Sequence, residues 1–380
     1  MQTPLKVLHV VNNFFPEVGG VQRAVLGLCR ALRQRGIEAT VLTCTRHRPK
    51  QTIVEGVPVT YVGHQFSVSH THVSIGLPAQ VFAIPADLIH AHTPTPWSSD
   101  WAVLVARLRG IPAVLTYHND PGASGWLSSV SRVYCRTLLW LTLRLADALV
   151  VTTPETPAKS PILATLGMHP AYLPLGVDVE HLRPLRWLPA LPTVGFLGLI
   201  RRTHQYKGLH VLLEAWRLMK EQGFSFRAIV GGDGDMRPHY EALSCRLGLE
   251  DVVTFAGYVS EACLAEFYNS VSVLALPSTD RNLEGFGLVA LEAMACGRPV
   301  VVSDAAGIAS FVEESGGGVV VPARRPDLLA QALIELLGQP ATLAAMGRRA
   351  REAALRRSWD RVAEMHLELY QSLLAKSRGP

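Results

Sequence analysis

The sequence predicts an α/β protein built from two Rossmann-like parallel-sheet domains, and three features carry that prediction. At 380 residues the chain is long for one core and suits two domains of ordinary size. Short β-rich apolar runs alternate with helical patterns along its length. A stretch dense in proline and glycine then splits the series into two similar halves.

In the first half, strands are expected at 6–11, 39–43, 88–91, 113–116 and 148–151, with helices at 22–34, 97–108 and 130–145. The second half restarts at 193–199 and continues with strands at 227–231, 252–255, 272–276, 300–303 and 318–321. Its expected helices cover 209–220, 238–247, 288–295 and 327–337. Between the halves, Pro174-Leu-Gly-Val-Asp178 leads into the Pro-rich segment 183–192. The predicted layout is a first domain over 1–178, a linker over 179–192, a second domain over 193–357 and a tail over 358–380. In the tail, Trp359, Val362, Met365, Leu369 and Leu373 follow a helical period, giving an amphipathic helix. Periodicity alone leaves open whether it covers its own domain or the first.

Composition sets outer bounds. Hydrophobic residues make up 48% and charged ones 18%, enough apolar material for buried parallel sheets. The six cysteines form no CxxC and no zinc-like spacing, so they read as small buried hydrophobes of a reduced compartment. Lys6 interrupts the first apolar run, so a signal peptide is not expected. No uninterrupted apolar window reaches spanning length, and the expected location is cytoplasmic. The net charge of +5 lies entirely in the first half, with 14 Lys/Arg against 9 Asp/Glu through Asp178 and 22 against 22 beyond it. That surplus does not require nucleic acid, and no nucleic-acid partner is expected; it suits an acidic membrane surface or an anionic acceptor.

The strongest chemical signal is Glu284-Gly-Phe-Gly-Leu-Val-Ala-Leu-Glu292. A helix starting near Gly287 leaves the backbone N–H groups of Phe286, Gly287, Leu288 and Val289 at its positive end, where a diphosphate is favoured. Glycine at 285 and 287 lets that backbone approach a ligand closely. Glu292, a turn inside the helix, is expected to accept from sugar hydroxyls such as those of a ribose, and Glu284 to face the ligand's other end. The alternative is a solvated capping carboxylate and an ordinary surface glutamate. Ahead of the second half's first helix stands Gly198-Leu-Ile-Arg-Arg202-Thr-His-Gln-Tyr-Lys207-Gly208, directly after a strand. Arg202, a planar fork, and Lys207, a point charge, can neutralise a diphosphate leaving group there.

In these motifs the chain resembles the retaining glycosyltransferases of family 4, which have the GT-B fold. The likeness covers the second half nearly end to end: Arg202, Lys207-Gly208, Gly232-Asp-Gly234, Phe255-Ala-Gly257-Tyr258-Val259, Leu276-Pro-Ser278 and the Glu284/Glu292 pair. It implies two domains facing a central cleft, with the last helix crossing back to cover the first. It further implies that Arg202 and Lys207 hold the diphosphate and that Phe286 to Val289 donate to it. Glu292 is implied to bind the ribose, Glu284 the donor sugar, and Tyr258 and Val259 to lie near the base. In the first half the segment through Gly19-Gly20-Val-Gln-Arg23 resembles the family's glycine-rich loop, with Gln22 where the family often has Glu. The resemblance implies that this loop is the acceptor-side wall. Thr116-Tyr-His118 matches the family's donor-sugar histidine.

Other signals are weaker. His90 and His92 share one strand face and read as structural or acceptor-side. Asp233-Gly-Asp235 looks like a metal-binding DxD pair, but a tight turn at a strand end explains it more simply, so no metal and no cofactor is expected. There is no P-loop, no GxGxxG after the first strand, no GxSxG and no HExxH. The basic apolar stretch 131–144, with Trp140, is either a helix buried on one side, the commoner case, or one resting at a membrane interface.

The expected activity is transfer of a hexosyl group from a nucleotide-diphosphate sugar to a glycan or lipid-linked acceptor with retention, as in polysaccharide biosynthesis. The alternatives are an inactive sugar-nucleotide-binding relative and another enzyme on the same fold, an epimerase or phosphorylase.

Overall fold

The computed structural model describes residues 4–17, 19–68, 71–121, 127–185, 189–281 and 283–377. Part of the Pro-rich segment, 186–188, lies outside the described residues. The chain forms two compact units, Met1–Gly176 with Trp359–Pro380 and Val177–Ser358.

Unit 1 contains β1 (Lys6–Val10), β2 (Glu38–Thr45), β3 (Lys50–Val54), β4 (Val57–Gly63), β5 (Phe66–Val68), β6 (Thr71–Val73), β7 (Leu88–His92), β8 (Ala113–Tyr117), β9 (Ala148–Val151) and β10 (Ala171–Tyr172). Eight of them make one sheet in the order β10-β9-β8-β7-β1-β2-β4-β3, parallel except where β3 meets β4. Strands β7 and β8 are buried along their whole length, as expected of a parallel sheet covered on both faces. Strand β3 escaped sequence prediction because Lys50–Val54 is an exposed, largely polar edge without an apolar run. Strands β4 to β6 and the two-residue β10 were likewise not anticipated.

Unit 2 contains β11 (Thr193–Leu197), β12 (Arg227–Gly231), β13 (Val253–Gly257), β14 (Val273–Leu276), β15 (Val300–Ser303) and β16 (Gly318–Val321). They form an all-parallel sheet ordered β13-β12-β11-β14-β15-β16. Counted within the unit this is 3-2-1-4-5-6, the Rossmann order, in which ligands bind where the chain reverses direction outside the strand ends. That switch point falls between β11 and β14; in unit 1 it falls between β1 and β7. The helix Pro340–Leu355 was missed because its inner stripe is mostly small: Gly347, Ala350, Ala353 and Ala354 beside Leu343.

The terminal helix Trp359–Ser377 belongs to unit 1. Val362, Ala363, Tyr370 and Leu373 share a core with Val25, Leu28, Cys29 and Leu32 of the helix Gly20–Gln34. Cys29, Cys44 and Cys296 are buried as expected, but Cys245 and Cys263 are exposed, which corrects the reading of all six as core residues.

The basic apolar stretch is helical as Leu127–Tyr134, a π turn at Cys135–Leu139, and Trp140–Leu145. Leu139 and Leu143 point into the core. Yet Val130, Val133, Leu138, Trp140 and Leu141 are exposed, Val133 by 63%. The buried reading therefore accounts for one side of this helix only. No single helix among the described residues is long and apolar enough to cross a membrane.

Candidate active site

The unit 2 switch point gathers the second-half motifs. The loop leaving β11 turns through a kinked 3-10 segment, Arg202–Lys207, and the Lys207 side chain runs back against Gly198 at the strand end. The segment after β14 is tied to that loop by Thr279 N–H donating to the Tyr206 carbonyl at 2.7 Å. Across this junction Lys207 Nζ lies 3.1 Å from Glu284 Oε2, and Ser278 Oγ donates to the same oxygen at 2.8 Å. Burial works against the Lys207 charge, but the Glu284 carboxylate and Tyr206 outweigh it and hold Lys207 above its usual value. Sequence reasoning put Lys207 and Glu284 at different parts of the ligand; the structure makes them one ion pair.

The helix Leu288–Ala295 begins beside this pair. Gly287 caps it at φ +97°, where a Cβ would lie 2.5 Å from Leu276 Cδ2, so the left-handed cap and the close packing both require glycine. Among the described residues, the backbone N–H groups of Phe286, Gly287, Leu288 and Val289 have no protein acceptor. Free N–H groups at the positive end of a helix are the arrangement that favours an anion. Glu292 is buried further in and accepts from the Tyr268 hydroxyl at 2.5 Å.

The remaining second-half residues line neighbouring strand ends. Gly232 follows β12 at φ +122°, with its N–H donating to Gly257 O at 2.7 Å; a side chain there would collide with the Gly198 carbonyl. Tyr258, 70% exposed, and Val259 follow β13. Arg202 is exposed; its backbone N–H donates to Asp235 Oδ1 at 3.2 Å, and its guanidinium has no partner among the described residues. Asp233 Oδ1 accepts from Gly234 N–H at 2.8 Å, so both aspartates serve backbone turns. Two polar partners escaped sequence reasoning. Ser278 was quoted without a role, and Tyr268 carries no motif; only its hydrogen bond to Glu292, 24 positions away on another helix, reveals it.

In unit 1, Gly19 is the extended N-cap of the helix Gly20–Gln34 and Gly20 is its first residue. Neither needs glycine's dihedral freedom. A Cβ at Gly20 would meet nothing within 4 Å, while one at Gly19 would stand 2.8 Å from Gln22 Oε1, the far end of a flexible side chain. Gln22 Nε2 donates to the Asn13 carbonyl at 3.2 Å. His118 follows β8 and is buried, which lowers it to about 4 and keeps it neutral. It joins a cluster made of His90 and His92, which sequence reasoning had set aside, and His9, which it did not single out. His118 Nε2 lies 3.3 Å from His92 Nδ1, and His92 Nε2 lies 3.2 Å from His9 Nδ1. His90 is held by Tyr370 and Thr116. Ligand nitrogens of His9, His90 and His92 all lie within 4.8 Å of one another, the only such grouping of potential metal ligands among the described residues.

A two-unit α/β fold with free N–H groups at a helix terminus, a buried Lys–Glu pair and a deeper carboxylate is the arrangement of a GT-B glycosyltransferase. A family model described as Glycosyltransferase Family 4 matches residues 18–181, and one described as Glycosyl transferases group 1 matches residues 191–339. The D-inositol 3-phosphate glycosyltransferase of Kribbella flavida is 30% identical over 94% of this chain and 91% of its own. The phosphatidyl-myo-inositol mannosyltransferase of Mycobacterium leprae is 30% identical over 94% of each. A solved structure of Anabaena Alr3699/HepE in complex with UDP and glucose matches with a TM-score of 0.75 at 21% identity, covering 97% of this chain and 100% of that one. The chain belongs to glycosyltransferase family 4 and is a glycosyltransferase of GT-B fold.

Proposed function

We propose that the protein transfers a hexosyl group from a nucleotide-diphosphate sugar to a glycan or lipid-linked acceptor with retention of configuration, using no metal. The observation that carries this reading is the Lys207–Glu284 pair beside the unpartnered N–H groups of Phe286 to Val289. In the proposed reaction those N–H groups, Lys207 and the free guanidinium of Arg202 take up charge as the diphosphate leaves. This is preorganised electrostatic stabilisation, and it substitutes for a metal ion. Glu292 takes the ribose hydroxyls, Tyr258 and Val259 flank the base, and Glu284 and His118 serve the sugar. Gly232 lets the ligand approach the backbone, and Gly19 and Gly20 leave room on the acceptor side. The leaving phosphate itself helps to deprotonate the acceptor, as the family resemblance implies, so no separate base is needed.

A thermal-shift screen of UDP, GDP and ADP sugars, followed by nucleotide-release assays, tests the reading. One donor should raise the melting point and release nucleotide only with acceptor present, and EDTA should leave the rate unchanged. Loss of activity in EDTA with recovery in manganese would overturn the metal-free assignment, and an inverted product would overturn retention.

A lipid-linked acceptor also places the enzyme, in this proposal, at the acidic inner face of a membrane. The exposed face of Val130, Val133, Leu138, Trp140 and Leu141 supports this, because exposed Arg132, Arg136 and Arg144 accompany it and no acidic residue occurs between 127 and 145. Arg144 lies over the Trp140 ring at 4.7 Å. Each basic residue near an anionic leaflet contributes about 1 kcal/mol, screened by salt. Co-flotation with acidic vesicles at low salt, lost at high salt and in a Trp140→Ser/Leu141→Ser variant, is the expected result. Absence of flotation at low salt would remove this part of the proposal.

A further inference from the structure

Adjacent parallel strands bring imidazoles together at the unit 1 switch point. Register sets His9 of β1 beside His90 of β7, and His92 beside Thr116 of β8. Residues two apart share a face, so His90, His92 and His9 stand on one side of the sheet, with His118 just beyond Thr116. The contacts run His118 Nε2 to His92 Nδ1, then His92 Nε2 to His9 Nδ1, at 3.3 and 3.2 Å. The chain ends at His9 Nε2, a buried nitrogen with no partner.

From this geometry we infer that His9 and His92 are positioning residues that lock His118 in the tautomer carrying its proton on Nδ1, making it a hydrogen-bond donor. A nitrogen-to-nitrogen contact needs one proton, and a neutral imidazole has one to give. The protons along three neutral rings must therefore all point one way. Pointing toward His9 would bury an N–H at His9 Nε2 with no acceptor. Pointing toward His118 leaves only a bare lone pair at His9 Nε2, the cheaper defect of the two. In that direction His9 Nδ1–H donates to His92 Nε2, His92 Nδ1–H donates to His118 Nε2, and the His118 proton sits on Nδ1. No partner takes Nδ1 among the described residues. Burial keeps the rings neutral: His9 is lowered to about 3 and His92 falls well below its usual value. His90 stands outside the relay, because Tyr370 OH and Thr116 Oγ1 occupy its nitrogens at 2.7 and 2.6 Å.

The inference rests on the reading of His118 as a residue serving the donor sugar, and it adds what fixes that residue's chemistry. Its test is ring-nitrogen NMR of the full-length protein labelled at histidine. The wild type should show His118 protonated at Nδ1 only. His9→Leu removes the terminal donor, so His118 should become a tautomer mixture and kcat should fall about tenfold with donor KM unchanged, an outer-shell effect. In His9→Asn the side-chain amide N–H stands near the position of Nδ1–H, so the spectrum and most of kcat should return. A wild-type proton on Nε2 would overturn the inference even if no variant folds. So would stoichiometric metal at His9, His90 and His92, or equal losses in His9→Leu and His9→Asn. If the tautomer is as stated but His118→Ala transfers sugar at the wild-type rate, the relay stands and the functional reading of His118 fails.

Discussion

Lys207 Nζ lies 3.1 Å from Glu284 Oε2, and the side chains share 15% and 7% exposure. The pair spans 77 positions of sequence. Neither charge is easily left alone in that setting, because removing one partner strands the other out of water. Lys207→Ala and Glu284→Ala should each lower the melting temperature, and the double variant should be less damaged than the sum of the two. The double-mutant cycle should give a coupling of about 1–3 kcal/mol, measured by scanning calorimetry. Additive losses would show that the pair is a surface contact of little energy.

Catalysis should separate the two carboxylates. Glu292, buried under the Tyr268 hydroxyl, is assigned to ligand hydroxyls, so Glu292→Ala should weaken nucleotide binding by roughly 10- to 100-fold. Glu284→Ala should mainly slow transfer, on the order of 10²- to 10³-fold, as Lys207 loses its fixed position. Tyr268→Phe should fall between wild type and Glu292→Ala in affinity. Titration calorimetry with nucleoside diphosphate checks the order, and equal affinity for wild type and both glutamate variants would reverse the assignment.

Acid should unfold unit 1 early. His9, His90, His92, His118 and His366 are all lowered by burial, His366 to about 4, and Tyr370 and Cys29 beside them are raised by the same cause. A histidine depressed in the folded state is uncharged there while the unfolded chain takes up protons below about 6.5. Its contribution is complete above that value and is lost as pH falls toward the folded-state pKa, at up to about 1.4 kcal/mol per pH unit for each group. Melting temperature should hold between pH 7 and 8 and drop between 6.5 and 4.5. His366→Leu, which deletes one titrating ring whose Nδ1 donates only to its own helix at Val362, should flatten that drop. A slope unchanged in this variant would remove His366 from the set.

What the sequence disclosed follows from how far apart the informative residues lie. Glu284 and Glu292 were legible because one turn and one helix hold both, and the strand-helix alternation was legible because buried parallel strands read as apolar runs. His9 was invisible: one histidine within Lys-Val-Leu-His-Val has no signature, and its meaning comes from the β1–β7 register and the strand order. The exposed face at 130–141 was legible only as the less common of two readings, a helix resting at a membrane interface. The π turn at Cys135–Leu139 shifts the facing of Trp140 and Leu141, which follow it, relative to the helix that carries Val130 and Val133. Gly19 and Gly20 were found by resemblance; neither a positive φ nor a rigid neighbour requires glycine at either position.

The terminal helix is keyed into unit 1 by one side chain. Trp359 lies against two glycines: a Cβ on Gly27 would stand 2.7 Å from Trp359 Cζ2, and one on Gly176 would stand 2.5 Å from Trp359 Cε3. Both distances are below any real carbon contact, so the indole fills a slot that only glycine leaves open. Gly27 sits mid-helix in Gly20–Gln34, where alanine is intrinsically the better helix former by about 1 kcal/mol. Sterics should reverse that preference. Gly27→Ala should destabilise by about 1–3 kcal/mol through overpacking, a fall of roughly 2–4 °C per kcal/mol in melting temperature for a unit of this size. Trp359→Ala should cost more, since it empties the slot. Combining the two should recover part of the loss, because the alanine methyl then enters vacated space while the helix gains propensity. If Gly27→Ala were as stable as wild type, the slot would be loose, and the anchoring of the helix would have to come from its other core residues, among them Val362, Ala363, Tyr370 and Leu373.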